Sequence, residues 1–301
     1  MTLSGKTSRP PVLRPGDLIA IAAPSSAAAR RDLIRGAEFI ASKGFPVTYR
    51  EDICAKKGYL AGDDSRRRDE LNAFIRDPEV KAILLARGGY GVSRIIDGLS
   101  TSALKRRPKI VAGYSDATAL LLFLQQRCGL PVLHGPFVTD SPRDLSRLIV
   151  TMKGGREPLT IGGLRTLRPG KAAAPLTGGN LTLLAHSIGT PFEVETRRRV
   201  LFLEEVNEAP YRIDRLIRQL VLAGKFRGIS GLLIGRISGA GRSSRTAWER
   251  LLLEAVGERK IPVAAAFPAG HGPGNATFPL GVRALFDTAS RSVAFDPFLG
   301  T

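Results

Sequence analysis

Cysteine is scarce in this 301-residue chain: Cys54 and Cys128 are the only two. Two cysteines cannot build a disulfide framework, and three histidines do not make up the shortfall for a Cys/His metal cage, so no metal is expected. Long hydrophobic runs are missing as well. Nothing approaches the ~18–20 consecutive apolar residues of a membrane span, so no membrane association is expected. The opening stretch, MTLSGKTSRPPVLRPGD, has Lys6 and Arg9 but no apolar segment behind them, which argues against a secretory signal. Together these absences point to the cytoplasm. Acidic residues are also in short supply, 27 against 45 Lys and Arg, giving a net charge of +18. Aromatics make up only 6% and do not interleave with the basic clusters Arg66–Arg68, Lys105–Arg107 and Arg197–Arg199. The pattern therefore argues against a nucleic-acid partner. It fits solvated surfaces, or a field that attracts a small anionic substrate.

What is present is a 43% apolar content and a regular alternation of strand-like and helix-like segments. DLIAIAA, PVTYR, VKAILLA and KIVAG read as strands. Residues 28–43, 64–76, 92–99 and 116–128 read as helices between them, with Leu71, Phe74 and Ile75 on one side of the second. This is the pattern of a doubly wound parallel sheet. The length suits two domains. Residues 1–150 form the first, an α/β domain. Residues 151–177, rich in Gly, Pro and Arg, read as a linker. Residues 178–301 form a smaller C-terminal α/β domain that closes on a β-hairpin over TFPLGVRALFDTASRSVAFD.

Ligands of open parallel sheets bind beyond the carboxyl ends of the strands, and three unusual stretches fall there. Arg87-Gly88-Gly89-Tyr90-Gly91 allows positive φ and close backbone approach, as an oxyanion hole, a phosphate cradle or a plain tight turn. It lacks the Lys-Ser/Thr of a Walker loop and the GxGxxG spacing of a dinucleotide site, so no cofactor is expected. Gly113-Tyr114-Ser115-Asp116 turns from a strand into a helix. That is the setting of a nucleophile elbow, although Ala117 replaces the second glycine of G-x-S-x-G, and a simple N-cap by Ser115 or Asp116 is the competing reading. His271 lies among glycines in FPAGHGPGN and is the best-placed base. His186 reads as a core residue and His134 as structural or supporting. Glu204 and Glu205 end an apolar strand and face opposite ways, so one of them is available to orient an imidazole.

The stretches APSS (23–26), ARGGYGVSRIID (86–97), GYSDATALL (113–121), LTGGNLTLLAHSIGTPF (176–192), FLEEVNEAPYRIDRLIRQL (202–220) and FPAGHGPGNATFPLGVRA (267–284) resemble the LD-carboxypeptidase family of serine peptidases. The resemblance runs in order over nearly the whole chain. It implies a Ser115–His271–Glu204 triad, with Glu204 rather than Glu205 as the acid. It also implies an oxyanion hole from the backbone N–H groups of Gly89 and Asp116, and pairing of the chain as a homodimer. The implied reaction releases D-alanine from murein tetrapeptides, with Arg87 and Arg212 near the motifs as possible carboxylate partners. A microcin-immunity branch of the same family, which cleaves peptide–nucleotide conjugates, is the alternative. That branch carries an extra loop between serine and glutamate, for which this chain has little room. A non-catalytic protein holding an anionic ligand is a further reading.

Overall fold

The computed structural model describes residues 9–155, 158–238 and 242–300, with backbone alone for 242–246. Lys6 lies outside the described residues. The chain divides into two compact units, Met1–Arg156 with Ala276–Pro279 and Phe298–Thr301, and Glu157–Asn275 with Leu280–Pro297.

The first unit alternates β1 (Leu18–Ala22), α1 (Arg30–Ser42), β2 (Val47–Thr48), α2 (Asp64–Arg76), β3 (Val80–Leu85), α3 (Thr101–Arg106), β4 (Ile110–Gly113), α4 (Ala117–Cys128), β5 (Val132–His134) and α5 (Pro142–Met152). The strands β5, β4, β3, β1 and β2 lie side by side in that order, all parallel. Ile19–Ala22 and Ala82–Leu85 are fully buried, as strands covered on both faces must be. α4 is apolar all round, with every residue from Ala117 to Leu124 buried, and it stops at Gly129 in the left-handed conformation. Three features depart from the sequence reading, the first being α3, which has no counterpart in it. VSRIIDGL forms two single 3-10 turns, Val92–Arg94 and Ile96–Gly98, instead of one helix. α5 has no counterpart in that reading, though Ser141 caps it by accepting the Asp144 N–H and Pro142 opens its first turn.

The rest of the chain carries β6 (Leu159–Gly162), β7 (Arg165–Arg168), β8 (Lys171–Asn180), α6 (Leu181–His186), β9 (Val200–Glu205), α7 (Pro210–Leu222), β10 (Gly231–Ile237), α8 (Arg242–Val256), β11 (Val263–Ala265), β12 (Phe278–Leu280), β13 (Arg283–Asp287) and β14 (Ser292–Phe295). All but β12 form one sheet, in the order β6-β14-β13-β8-β9-β10-β11-β7. Its centre, β8 to β11, is parallel, and its flanks are antiparallel. Much of the stretch read as a linker, 151–177, thus lies in strands. β6 and β7 are the two edges, largely exposed, and so carry little of the apolar alternation that marks a strand. The closing hairpin is β13–β14 alone, because β12 joins the first unit's sheet beside β5. There Phe278 stacks on the buried His134 ring at 4.8 Å between centroids. Among the described residues, no helix is long and apolar enough to cross a membrane.

Lys109, next to β4, is buried and donates its ammonium to the carbonyls of Asp77 and Val80. Burial pulls its pKa down from 10.5 to about 8. The unfolded chain keeps this proton to a higher pH than the folded one does. Stability therefore rises with pH between about 8 and 10.5, and below that window this group's contribution does not change with pH. The gap in urea midpoint between the wild type and Lys109→Met is expected to move in favour of the wild type from pH 7.5 to pH 10. A gap that stays constant would contradict this assignment.

Candidate active site

In the first unit, β4 runs into the turn at Tyr114–Asp116 and α4 begins at once. Ser115 sits at the turn with φ of 56°, a left-handed conformation that is rare for a residue with a side chain, and is half-buried. The capping explanation fails for its neighbour. Asp116 is the N-cap of α4 but makes no side-chain cap bond. Its buried carboxylate instead accepts the Ser25 hydroxyl at 2.6 Å and the Val92 N–H at 3.1 Å. Burial raises the Asp116 pKa, and these two donors act against the rise. The strained serine and its neighbour thus belong to a strand–turn–helix corner of nucleophile-elbow type.

The glycine loop lies against this corner. A Cβ at Gly88 would stand 3.1 Å from the Ser115 Cβ. Gly89 has φ of 113°, and a Cβ there would fall 2.2 Å from the Ser26 hydroxyl, so only glycine fits. Ser26 donates its N–H to Gly88 O at 3.3 Å and accepts the Tyr90 N–H on its hydroxyl at 3.4 Å. Gly89 itself is exposed at the surface of the unit.

In the second unit, β9 ends in the two glutamates, and the pleat sends them to separate tasks. Glu204 is fully buried and its Oε2 lies 2.8 Å from His271 Nδ1. The same oxygen accepts the His271 backbone N–H at 3.3 Å. A carboxylate on Nδ1 fixes the tautomer with the proton there, which leaves Nε2 as the basic nitrogen. The His271 side chain is 22% exposed, open enough to exchange a proton with a ligand. Glu205 turns the other way. It accepts Asn180 Nδ2, the Thr182 N–H, the Thr182 hydroxyl and the Val206 N–H, and so anchors the start of α6.

The loop after β11 presents His271. Arg236 on β10 reaches the carbonyls of Gly270, Gly272 and Gly274 at 3.2–3.5 Å, and Asn275 Oδ1 accepts the Gly270 N–H at 3.0 Å. Sequence reasoning missed Arg236 and Asn275, since nothing in their spacing marks a side chain that braces a loop. It also misplaced His186, which is exposed at the end of the one-and-a-half-turn helix α6 rather than in the core. The apolar neighbours Leu181, Leu184 and Ala185 fill the buried face in its place. Arg87 and Arg212 are both exposed; Arg87 donates to Ala27 O at 3.2 Å and Arg212 pairs with Glu208 at 3.5 Å.

Two family descriptions match the chain: the LD-carboxypeptidase N-terminal domain over residues 19–135 and the LD-carboxypeptidase C-terminal domain over 173–286. The chain belongs to the LD-carboxypeptidase family. It is 33% identical to a probable murein peptide carboxypeptidase of Bacillus subtilis, covering 96% of this chain and 94% of that protein. It is 26% identical to a microcin self-immunity protein of Escherichia coli, over 93% and 92% of the two chains. Among solved structures, a muramoyltetrapeptide carboxypeptidase from Oxalobacter formigenes superposes with a TM-score of 0.84 at 26% identity, over 94% of this chain and all of the other. This LD-carboxypeptidase is a serine-type hydrolase with the two-domain α/β architecture of its relatives.

Gly270 offers a check on the Glu204–His271 pair. Its φ is 108°, and a Cβ there would lie 2.8 Å from Glu204 Oε2. Gly270→Ala is expected to push the carboxylate off Nδ1 and lower kcat by about 10²-fold, the scale of an ångström's misplacement in a catalytic group. Steady-state kinetics check this, and a variant within threefold of the wild type would show that the loop absorbs the extra methyl group.

Proposed function

We propose that this LD-carboxypeptidase removes the terminal D-alanine from murein tetrapeptides, with Ser115 as nucleophile, His271 as base and Glu204 as its orienting acid. The observation that carries the reading is the 2.8 Å contact between a wholly buried carboxylate and the imidazole of a glycine-flanked loop, in a chain whose other unit holds a serine at φ of 56°. Ser115 Oγ attacks the carbonyl that precedes D-alanine and its proton passes to His271 Nε2. The tetrahedral oxyanion is held by the N–H groups of Gly89 and Asp116. On collapse the C–N bond breaks and His271 returns the proton to the departing amine. Water, activated by the same imidazole, then frees the tripeptide from the serine ester.

The terminal carboxylate of D-alanine calls for a cationic partner, and Arg87 and Arg212 are the candidates by position. The charge of +18 favours the encounter with such an anionic peptide. The names of the Bacillus and Oxalobacter relatives support the substrate. The same reading takes the enzyme as a cytoplasmic homodimer, which fractionation and light scattering check. The deciding experiment measures D-alanine released from purified murein tetrapeptide. Release at enzyme-like rates is the expected result. Its absence, with cleavage of a peptide–nucleotide conjugate instead, would overturn the reading in favour of the microcin-immunity branch.

A further inference from the structure

The peptide unit joining Gly91 to Val92 is gripped from both sides. Its carbonyl oxygen, on Gly91, accepts Arg67 Nη1 at 2.7 Å. Its N–H, on Val92, donates to Asp116 Oδ2 at 3.1 Å. The Gly91 carbonyl also receives the Arg94 N–H of the following 3-10 turn at 3.2 Å. Arg67 therefore pulls on one end of the amide plane while the residue after Ser115 holds the other. This plane closes the glycine loop, two residues beyond Gly89.

Arg67 is unusual in its own right. The sequence places it in a basic triplet, Arg66–Arg68, of the kind that normally covers a solvated face, yet its side chain is wholly buried. Such a charge persists in the interior only where donors and acceptors are matched. Here the guanidinium meets Asp64 on its own helix, the Pro24 carbonyl beyond β1 and the Gly91 carbonyl beyond β3. Nη1 serves both loop carbonyls while Nη2 holds Asp64, so the planar fork spans three partners at once, which a lysine's single ammonium on a flexible stem does less well. The Pro24–Ser26 loop is held in turn by Asp116, through the Ser25 hydroxyl. Arg67 and Asp116 thus fasten the same two loops, one through carbonyls and the other through donors.

We infer that Arg67 is a positioning residue for the oxyanion hole, setting the Gly89 N–H by locking the Gly91–Val92 amide plane against the Ser115 corner. The inference rests on the reading of Ser115 as nucleophile and of the Gly89 and Asp116 amides as its oxyanion donors. A misaimed donor weakens the tetrahedral intermediate and leaves ground-state binding alone, so kcat falls and KM stays.

The test uses Arg67→Met and Arg67→Lys in the full chain, with folding verified by circular dichroism. The first readout is the rate of Ser115 labelling by a phosphonate ester, whose phosphoryl oxygen occupies the oxyanion position. The second is kcat against KM for D-alanine release. Arg67→Met is expected to lose about 10²-fold in labelling rate and in kcat, with KM within threefold. Arg67→Lys keeps the buried cation and is the variant that decides if Arg67→Met does not fold. It is expected to lose about tenfold, the lysine recovering part of what methionine loses. A folded Arg67→Lys protein that labels as fast as the wild type overturns the inference, as does a loss that falls on KM alone. Failure of the wild type to label overturns the underlying reading of Ser115, and this inference with it. Labelling of the wild type without D-alanine release leaves Ser115 and the test of Arg67 standing and removes only the substrate.

Discussion

Ser115→Ala is expected to abolish D-alanine release, with kcat lower by about 10⁶-fold, the loss seen when the nucleophile of a serine triad is removed. The argument begins in the backbone. A serine at φ of 56° stores strain that an N-cap has no use for, since capping residues take extended dihedrals, as Ser141 does at ψ of 148°. The strain places the Ser115 side chain against the glycine loop, its Cβ 3.1 Å from where a Cβ at Gly88 would stand. Alanine suffers the same positive-φ strain as serine, so the thermal midpoint should shift little. D-alanine release and a melting curve measured on the same preparation check both halves. Activity above a few per cent of wild type in the alanine variant would require another nucleophile. Loss of folding would mean that the hydroxyl is structural.

Glu204→Gln is expected to lower kcat by about 10³–10⁴-fold with little change in KM, the scale found when the acid of a triad is made neutral. Glu204 Oε2 is the acceptor for both His271 Nδ1 and the His271 backbone N–H, and Oε1 is buried with no hydrogen-bond partner among the described residues. The carboxylate charge is therefore directed at the imidazole, and in the proposed mechanism it stabilises the cation formed when Nε2 takes the serine's proton. Glutamine keeps the volume and removes that charge. Its amide N–H₂, facing Nδ1, also favours the tautomer with the proton on Nε2, which cannot act as base. The neighbouring acid is the control. Glu205 spends both its oxygens on four donors, from Asn180, Thr182 and Val206. Glu205→Gln should cost about 1–3 kcal/mol of stability and leave kcat within a few-fold. Kinetics and urea denaturation on both variants separate the roles, and equal losses of kcat would refute the assignment of Glu204.

The strands β1, β3 and β4 of the first unit were legible in the sequence because they are buried on both faces and read as unbroken apolar runs. So was the serine corner, since a strand, one small polar residue and an apolar helix stand in direct succession. α5 was not read, although Ser141-Pro142 followed by Asp144 and the spacing of Leu145, Leu148 and Ile149 mark it, because the signal is short and follows an irregular stretch. The edge strands β6 and β7 were hidden by their exposure. The choice between Glu204 and Glu205 was not settled by pattern alone, because alternation predicts two opposite faces without saying which one meets the histidine loop. Arg67 was hidden most completely. Its partners are main-chain carbonyls and an aspartate three residues before it, and a carbonyl leaves no trace in the order of side chains.

The strand β12 bears on how the protein is made. Residues 276–279 belong to the unit formed mainly by the chain up to Arg156, and the sheet edge beside β5 stays open until they arrive. During synthesis the ribosome delivers the whole second unit first, apart from its closing hairpin. Until then the His134 ring has no Phe278 to cover it. The first unit's sheet is thus completed only after most of the second unit has been translated. A nascent hydrolase is in this way kept from its full scaffold until the histidine loop, which precedes β12 in the chain, has already been translated.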